Sequence, residues 1–354
     1  MYANIDRLAG VLLGTAVGDA LGLPREGLSR RRAERLFGPP PLKHRFLFGR
    51  GMVSDDTEHA CMTAQALLRC AHDANAFARS LAWRLRFWLL GLPAGIGSAT
   101  LRGILKLWIG FPPTRSGVWS AGNGPAMRSA LLGVCLGDDL DRLRAFVRAS
   151  TRLTHSDPRA ERGAFLIALA AHYGSRNDPG TIDAAAFLRL ARMVLVDADD
   201  RLLQLLACIE DHHERGSTVA EFADNLNLQR GVSGYIYHTV PVALYAWLRW
   251  PTPFRRPVEE VIALGGDTDT TGAIAGALAG ATCGAAEIPV EWLKGMWEWP
   301  RSVAWMRQLA EPLASLPAPW KAPLLFWPAL GPRNVLFLVV VLLHAFRRLL
   351  PPYY

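Results

Sequence analysis

Leu264-Gly265-Gly266-Asp267-Thr268-Asp269-Thr270-Thr271-Gly272-Ala273-Ile274-Ala275-Gly276-Ala277 is the stretch around which the chain is organised. Two carboxylates and three hydroxyls fall between Asp267 and Thr271. The preceding glycine pair lets the backbone turn through angles that other residues resist. Behind the turn, Gly272, Gly276 and Gly280 recur every four residues. That spacing predicts a helix with one smooth ridge, which a second helix can approach closely. Each glycine in a helix costs roughly 1 kcal/mol relative to alanine, so close packing has to offset it. Asp267 and Asp269 are two residues apart and would not share a face of a regular helix. They converge only if the loop and first turn are irregular, as in a loop that holds a hard cation through oxygen ligands. The ordinary alternative is a decorated helix cap, since Asp and Thr are common there.

A second acidic turn lies upstream, in Gly49-Arg50-Gly51-Met52-Val53-Ser54-Asp55-Asp56-Thr57-Glu58. Again a hydroxyl and carboxylates follow a glycine-containing loop at a predicted helix start. Asp55 with Glu58 three residues on also has the character of a capping box. Two such clusters together carry more weight than one. Four carboxylates drawn together raise one another's pKa, and divalent cations at their centre remove that penalty. A donor set made only of oxygen points to Mg²⁺ or Mn²⁺ rather than zinc or copper.

The rest of the 354-residue chain reads as helix. Apolar residues recur at helical spacing over 5–21, 57–72, 76–90, 125–136, 140–153, 159–172, 184–196, 199–214, 219–227, 233–250 and 258–264. Period-2 alternation is nearly absent, so the expected fold class is all-α. Glycine- and proline-rich loops are expected near 38–53, 91–98 and 110–125. Residues 1–318 read as one packed domain and 319–354 as a tail rich in Pro and Trp and then apolar. Within the tail, Val335 to Phe346 is a dozen mostly apolar residues followed by Arg347 and Arg348. A membrane-spanning helix needs about 20 apolar residues, so a buried helix, a partner-docking helix and a membrane-surface anchor all remain open. Net charge is +8, which suits a phosphate-bearing ligand or an anionic surface. Five cysteines without a C-x-x-C pair argue for a reducing compartment, and the N-terminus shows no secretory signal. The expected location is cytoplasmic, with membrane association through the tail left open.

The pair Ser54-Asp55-Asp56-Thr57 and Gly265-Gly266-Asp267-Thr268-Asp269-Thr270 resembles the signature of the ADP-ribosylglycohydrolase family. Further segments match in the family's order: Leu12 to Glu26, Gly122-Asn123-Gly124, Thr154-His155 and Gly234-Tyr235. The resemblance covers roughly residues 5–300. It implies an orthogonal multi-helix bundle with a binuclear metal site. Ser54, Asp55, Asp56, Asp267, Asp269 and Thr270 would hold two divalent cations. Glu26, Asp55, Asp56 and Asp269 would take part in catalysis, with Glu26 on a loop beside the metals. Gly122, Asn123 and Gly124 would line an ADP-ribose groove, with His155 near the phosphates or scissile ribose and Tyr235 towards the adenine.

The activity implied is removal of ADP-ribose, by cleavage at C1″, from a modified protein side chain or a small molecule. The alternative is a family member that binds ADP-ribose or serves structurally without turnover. Sequence-specific nucleic-acid binding is not expected. Two departures stand out. Ser54 replaces the commoner threonine and keeps the hydroxyl. Gly95 stands where many arginine-directed members carry an acidic residue, which puts arginine in doubt as the acceptor.

Overall fold

Many of the helices start where the sequence offers a capping side chain. The structure is a computed structural model that describes residues 4–316 and 321–351. Pro317, Trp320, Tyr353 and Tyr354, parts of the tail as read from sequence, lie outside the described residues. Asn4 accepts from the Asp6 amide and starts α1 (Ile5–Gly22). The strand β1 (Leu28–Ser29) and α2 (Arg30–Phe37) follow. Ser54 caps α3 (Asp55–Cys70) and Asp73 caps α4 (Ala74–Leu90). Next come α5 (Ser98–Trp108) and α6 (Ala130–Leu136). Capping aspartates open α7 (Leu140–Thr151), α8 (Pro158–Arg176), α9 (Ala184–Val194) and α10 (Asp200–Glu214). Thr218 and Glu221 form a full capping box at α11 (Val219–Asn225). The chain continues through α12 (Ile236–Arg249), α13 (Arg255–Ala263), β2 (Gly265–Gly266) and α14 (Thr268–Cys283). It closes with α15 (Val290–Gly295), α16 (Val303–Ala310) and α17 (Leu330–Arg348).

The all-α expectation holds; among the described residues the only sheet is the two-residue antiparallel pair of β1 and β2. One continuous core runs through α1, α3, α4, α6, α8, α12 and α14, so the helices form a single domain. At its centre α1 and α14 lie antiparallel, glycine on glycine. A Cβ at Gly10, Gly14 or Gly18 would fall well inside contact with the carbonyl oxygen of Gly280, Gly276 or Gly272 respectively. The ridge read from the sequence therefore faces a second ridge of the same kind, and the two backbones touch. Every residue of α14 from Thr268 to Thr282 is buried.

Some elements differ from the sequence reading. Residues 125–136 are not one helix but a 3₁₀ turn, Ala126–Arg128, followed by α6. The interruption turns Arg128 inward, where it bonds Ser150 and Thr154, while the Ser129 hydroxyl donates to the Ala126 carbonyl. Helix α5 escaped notice because Gly97, with no side chain to cap it, stands at its start. Helix α2 escaped because it is mostly charged, with Ala33 its one buried residue. The apolar run in the tail is part of a longer helix, α17.

Replacing Gly276 by alanine tests the central contact. Helix propensity alone would stabilise the chain by roughly 1 kcal/mol. The added methyl instead meets the Gly14 backbone, and overpacking of this kind typically costs about 1–3 kcal/mol. Equilibrium denaturation of Gly276→Ala is expected to show a lower midpoint than the parent; a higher one would remove the contact from the account.

Candidate active site

The end of α1 holds the starts of both α3 and α14. Thr268, the first residue of α14, donates its hydroxyl to the Gly22 carbonyl at 2.8 Å. Asp19, one turn earlier, accepts from the Ser54 amide at 2.9 Å, the Thr57 amide at 3.2 Å and the Thr57 hydroxyl at 2.5 Å. Its carboxylate thus anchors the first turn of α3. The glycine pair does what a tight turn requires: Gly265 and Gly266 have φ of 74° and 83°. They run as β2 between β1 and Val232, and the Gly27 amide donates to the Gly266 carbonyl at 2.7 Å. The loop that carries Glu26 is thereby tied to the Asp267 turn.

The two acidic turns meet. Thr270 donates its hydroxyl to Asp56 Oδ2 at 3.2 Å, and Ser54 donates to the same oxygen at 3.1 Å. Asp267 occupies the cap position of α14 yet makes no capping bond, and its backbone is non-helical. Its Oδ2 accepts from Asn123 at 2.6 Å instead. The irregular first turn expected from the spacing of Asp267 and Asp269 is present, and both residues face one cavity. That cavity has a volume of about 290 Å³. Glu26, Asp55, Asp267, Asp269 and Thr270 line one side; Gly122, Asn123, Gly124 and His155 line the other. Ser54 and Asp56 sit behind the first wall and are buried. Tyr235 does not line the cavity: it pairs with Gly122 in a β-bridge and receives a hydrogen bond from Arg159, while Gly234 reaches the lining. Gly95 is in the wall, with Gly97 and Thr100.

Burial and mutual repulsion load this wall with unrelieved charge. Burial pushes Asp56 well above the usual carboxylate range, and Asp19, Asp55 and Asp267 add to it. Asp269 is raised by burial and then by Glu26, Asp267 and Asp56. Asp55 is raised by burial, Asp19 and Glu58. Burial also raises Glu26, with Asp267 reinforcing the shift and Arg348 of α17 opposing it. Asp19 goes up to about 7 through burial, although its donors hold it down. Glu58 differs. Burial acts to raise it, but Arg301 and Arg333 together carry it below its ordinary value, and Trp88 donates to it at 2.6 Å.

Among the described residues, Oδ1 of Asp56 and Oδ1 of Asp269 are buried without a hydrogen-bond partner. Orphaned carboxylate oxygens beside two hydroxyls form a hard, oxygen-only donor set, which fits Mg²⁺ or Mn²⁺. Among the described residues, no group of three or more His, Cys, Asp and Glu side chains is arranged to hold an ion by itself. The fit rests on the donor chemistry.

The opposite wall is electropositive behind its surface. Arg128 is buried and touches His59 Nδ1 at 3.1 Å and the Thr154 hydroxyl at 2.9 Å. His155 Nδ1 lies 2.9 Å from the same hydroxyl. Burial, with Arg128 adding to it, lowers His155 to about 3, so the ring is neutral near pH 7. Its other nitrogen faces Gly122, where a Cβ would press on it. Glycine at 122 keeps the ring open to the cavity.

Sequence reasoning missed Asp19, Arg128, and the buried pairs Glu58–Arg301 and Glu298–Arg333. Asp19 had a signal: it is the one charged residue in the otherwise apolar and small-residue run from Leu8 to Pro24. Arg333 and Glu298 had none, since their meeting depends on where α17 docks.

A family model described as ADP-ribosylglycohydrolase matches residues 2–323. The chain belongs to the ADP-ribosylglycohydrolase family. The ADP-ribosyl-[dinitrogen reductase] glycohydrolase of Rhodospirillum rubrum is 30% identical over 298 residues, covering 81% of this chain and 89% of that protein. ADP-ribosylhydrolase ARH3 of Xenopus tropicalis is 29% identical over 332 residues, covering 82% and 91%. A solved structure titled "ADP-ribosylglycohydrolase-related protein complex" superposes with a TM-score of 0.64 at 27% identity, covering 89% of this chain and 99% of the other. Within this chain, residues 324–354, and so all of α17, lie beyond the matched region.

The raised carboxyls make a signed prediction. A folded-state value above the unfolded one confers stability that is complete at low pH and lost as pH rises through the folded value, near 7 for Asp19. A divalent cation offsets the repulsion exposed by that loss. Mn²⁺ is therefore expected to raise the melting temperature more at about pH 8 than at about pH 5. Equal shifts at both pH values, measured against chelator, would contradict the fit of this carboxylate cluster to a divalent cation.

Proposed function

We propose that this chain hydrolyses the bond between C1″ of ADP-ribose and an acceptor atom on a protein side chain or a small molecule. The observation that carries the reading is the convergence of the two acidic turns, through Thr270 and Asp56, on a cavity whose far wall is the Gly122-Asn123-Gly124 loop. Family membership supports the substrate class. Asp55, Asp56, Asp267 and Asp269, with the hydroxyls of Ser54 and Thr270, would hold two divalent cations; bound there, such cations lower the pKa of a water and orient a diol.

The chain's own groups perform the rest. Glu26 and Asp55 face the cavity with carboxyls raised by burial, placed to move a proton to or from the reacting oxygen. Cleavage at an anomeric carbon builds positive charge there, which the anionic wall of Asp267 and Asp269 stabilises. Asn123 fixes Asp267 by donating to it, and Thr239 fixes Asn123 in turn. The far wall receives the diphosphate, and neutral His155 offers it an N–H rather than a charge. Tyr235 acts from behind this wall, holding Gly122 in place through their bridge. Gly95 places no carboxylate in the wall to meet a guanidinium.

The test is release of ADP-ribose, with Mg²⁺ or Mn²⁺, from a panel of arginine-linked, serine-linked and small-molecule conjugates. Asp55→Asn and Asp269→Asn are each expected to slow release by about 100-fold or more, the scale on which losing one electrostatic group slows an enzyme. Undiminished release in both variants would sink the reading. Tight ADP-ribose binding without release in the parent would favour the non-catalytic alternative.

A further inference from the structure

Helix α17 docks on the body through one face and leaves an apolar face uncovered. Arg333, Asn334, Phe337 and Val340 are buried, and His344 stacks on Phe46 with centroids 5.1 Å apart and donates its Nε2–H to the Phe46 carbonyl at 2.7 Å. These positions recur at helical spacing and form the inner face. On the outer side Val335, Leu338, Val339, Leu342, Leu343 and Phe346 are exposed, Val335 and Phe346 by 64% and 65%. The apolar surface continues through Leu324, Phe326 and Trp327, which are 69–96% exposed. It runs into a groove of about 750 Å³ against α3 and α4, lined by Trp83, Phe87, Trp327 and Leu330. A contiguous apolar surface on this scale marks an interaction site rather than ordinary exposure.

We propose that this face docks on an anionic lipid bilayer, with α17 lying along the membrane surface. Charge identifies the occupant. From Pro312 to Tyr354 the chain has no acidic residue and carries Lys321, Arg333, Arg347 and Arg348. The groove's lining includes Arg69, Arg79 and Arg84 and no Asp or Glu; Asp73 meets Arg79 from outside at 3.8 Å. An apolar strip flanked by basic groups is the pattern that binds acidic headgroups while burying side chains at the acyl boundary. A twofold copy of the chain fits less well, because an isologous contact sets each arginine rim near its equivalent.

The helix is long and apolar enough to cross a membrane by length and composition. Crossing would strip Arg333 from Glu298, which it holds at 2.7 Å, and from the Val53 carbonyl. A buried arginine moved into hydrocarbon is expensive. Docking along the surface keeps those bonds and uses only the uncovered face.

Full-length protein is mixed with phosphatidylcholine vesicles made with and without phosphatidylglycerol and sedimented. Binding is expected with phosphatidylglycerol, reduced by high salt, with Trp fluorescence quenched by brominated lipid. The double variant Val339→Glu, Leu343→Glu changes only outward-facing positions and is expected to weaken partition about tenfold or more, with its thermal unfolding and circular dichroism unchanged. Arg79→Glu is expected to reduce the preference for phosphatidylglycerol. Wild-type protein left in the supernatant overturns the proposal, as does a double variant that binds undiminished. Bound protein that resists salt and alkaline washing and yields only to detergent overturns the surface orientation. Self-association abolished by the double variant, without vesicle binding, assigns the face to a second copy instead.

Discussion

Backbone contact between α1 and α14 is the constraint on which the rest of this molecule depends. Gly10, Gly14 and Gly18 meet Gly280, Gly276 and Gly272 with no side chain between them. Glycine is a poor helix residue, and the arrangement persists because many close contacts offset that weakness. Such a contact fixes register, since sliding one helix along the other drives a side chain into a carbonyl. Register then carries chemistry. The last turn of α1 stands beside the first turn of α14 through Gly22 and Thr268, and beside the first turn of α3 through Asp19. Two acidic turns more than 200 residues apart in the chain are brought together by one helix end.

Buried carboxylates in this fold fall into groups by how their charge is met. Glu58 and Glu298 are answered by Arg301 and Arg333, and they hold the wall behind the site. Asp19 is answered by amides and a hydroxyl and keeps two loops in place. Asp56 and Asp269 each keep an oxygen that no group among the described residues answers. Left to packing alone, such groups are a liability. Their concentration at one cavity, while neighbouring acids have basic or hydrogen-bonding partners, marks the cavity as the place where the fold gives up stability for function.

Much of this was legible in the sequence because it was local. The glycine pair, the spacing of Asp267 and Asp269, the ridge of α14 and the hydroxyl-rich turn at Ser54 each dictate their own geometry within a few residues. The small-residue face of α1 was visible too. What stayed hidden was long-range. Arg333 meets Glu298 only because α17 folds back over the loop before Ser54, and no local pattern encodes that. Arg128 falls in the stretch 125–136, which reads as one helix, and is instead turned inward by a 3₁₀ turn. Tyr235 shares a segment with Gly234, but a β-bridge to Gly122 points the glycine, rather than the ring, at the cavity. A shift of one residue in an extended segment decides that, and sequence pattern resolves it poorly.

The net charge of +8 suits a phosphate-bearing ligand or an anionic surface, and the structure separates the two. Among the residues that line the 290 Å³ cavity none is Lys or Arg. A cationic lining would compete directly with cations for the carboxylates, so an acidic site of this kind is better served by a glycine-rich far wall and a neutral histidine. Arg128 still contributes, one layer back, by holding Thr154 and through it His155. Much of the exposed basic charge lies elsewhere, and part of it borders the uncovered face of α17 and the groove beside α4. Arg348, at the end of that helix, links the two regions, since it stands near enough to Glu26 to oppose the rise of its carboxyl. Charge in this protein is thus partitioned: anionic where a diol and cations would bind, basic where an extended anionic surface would.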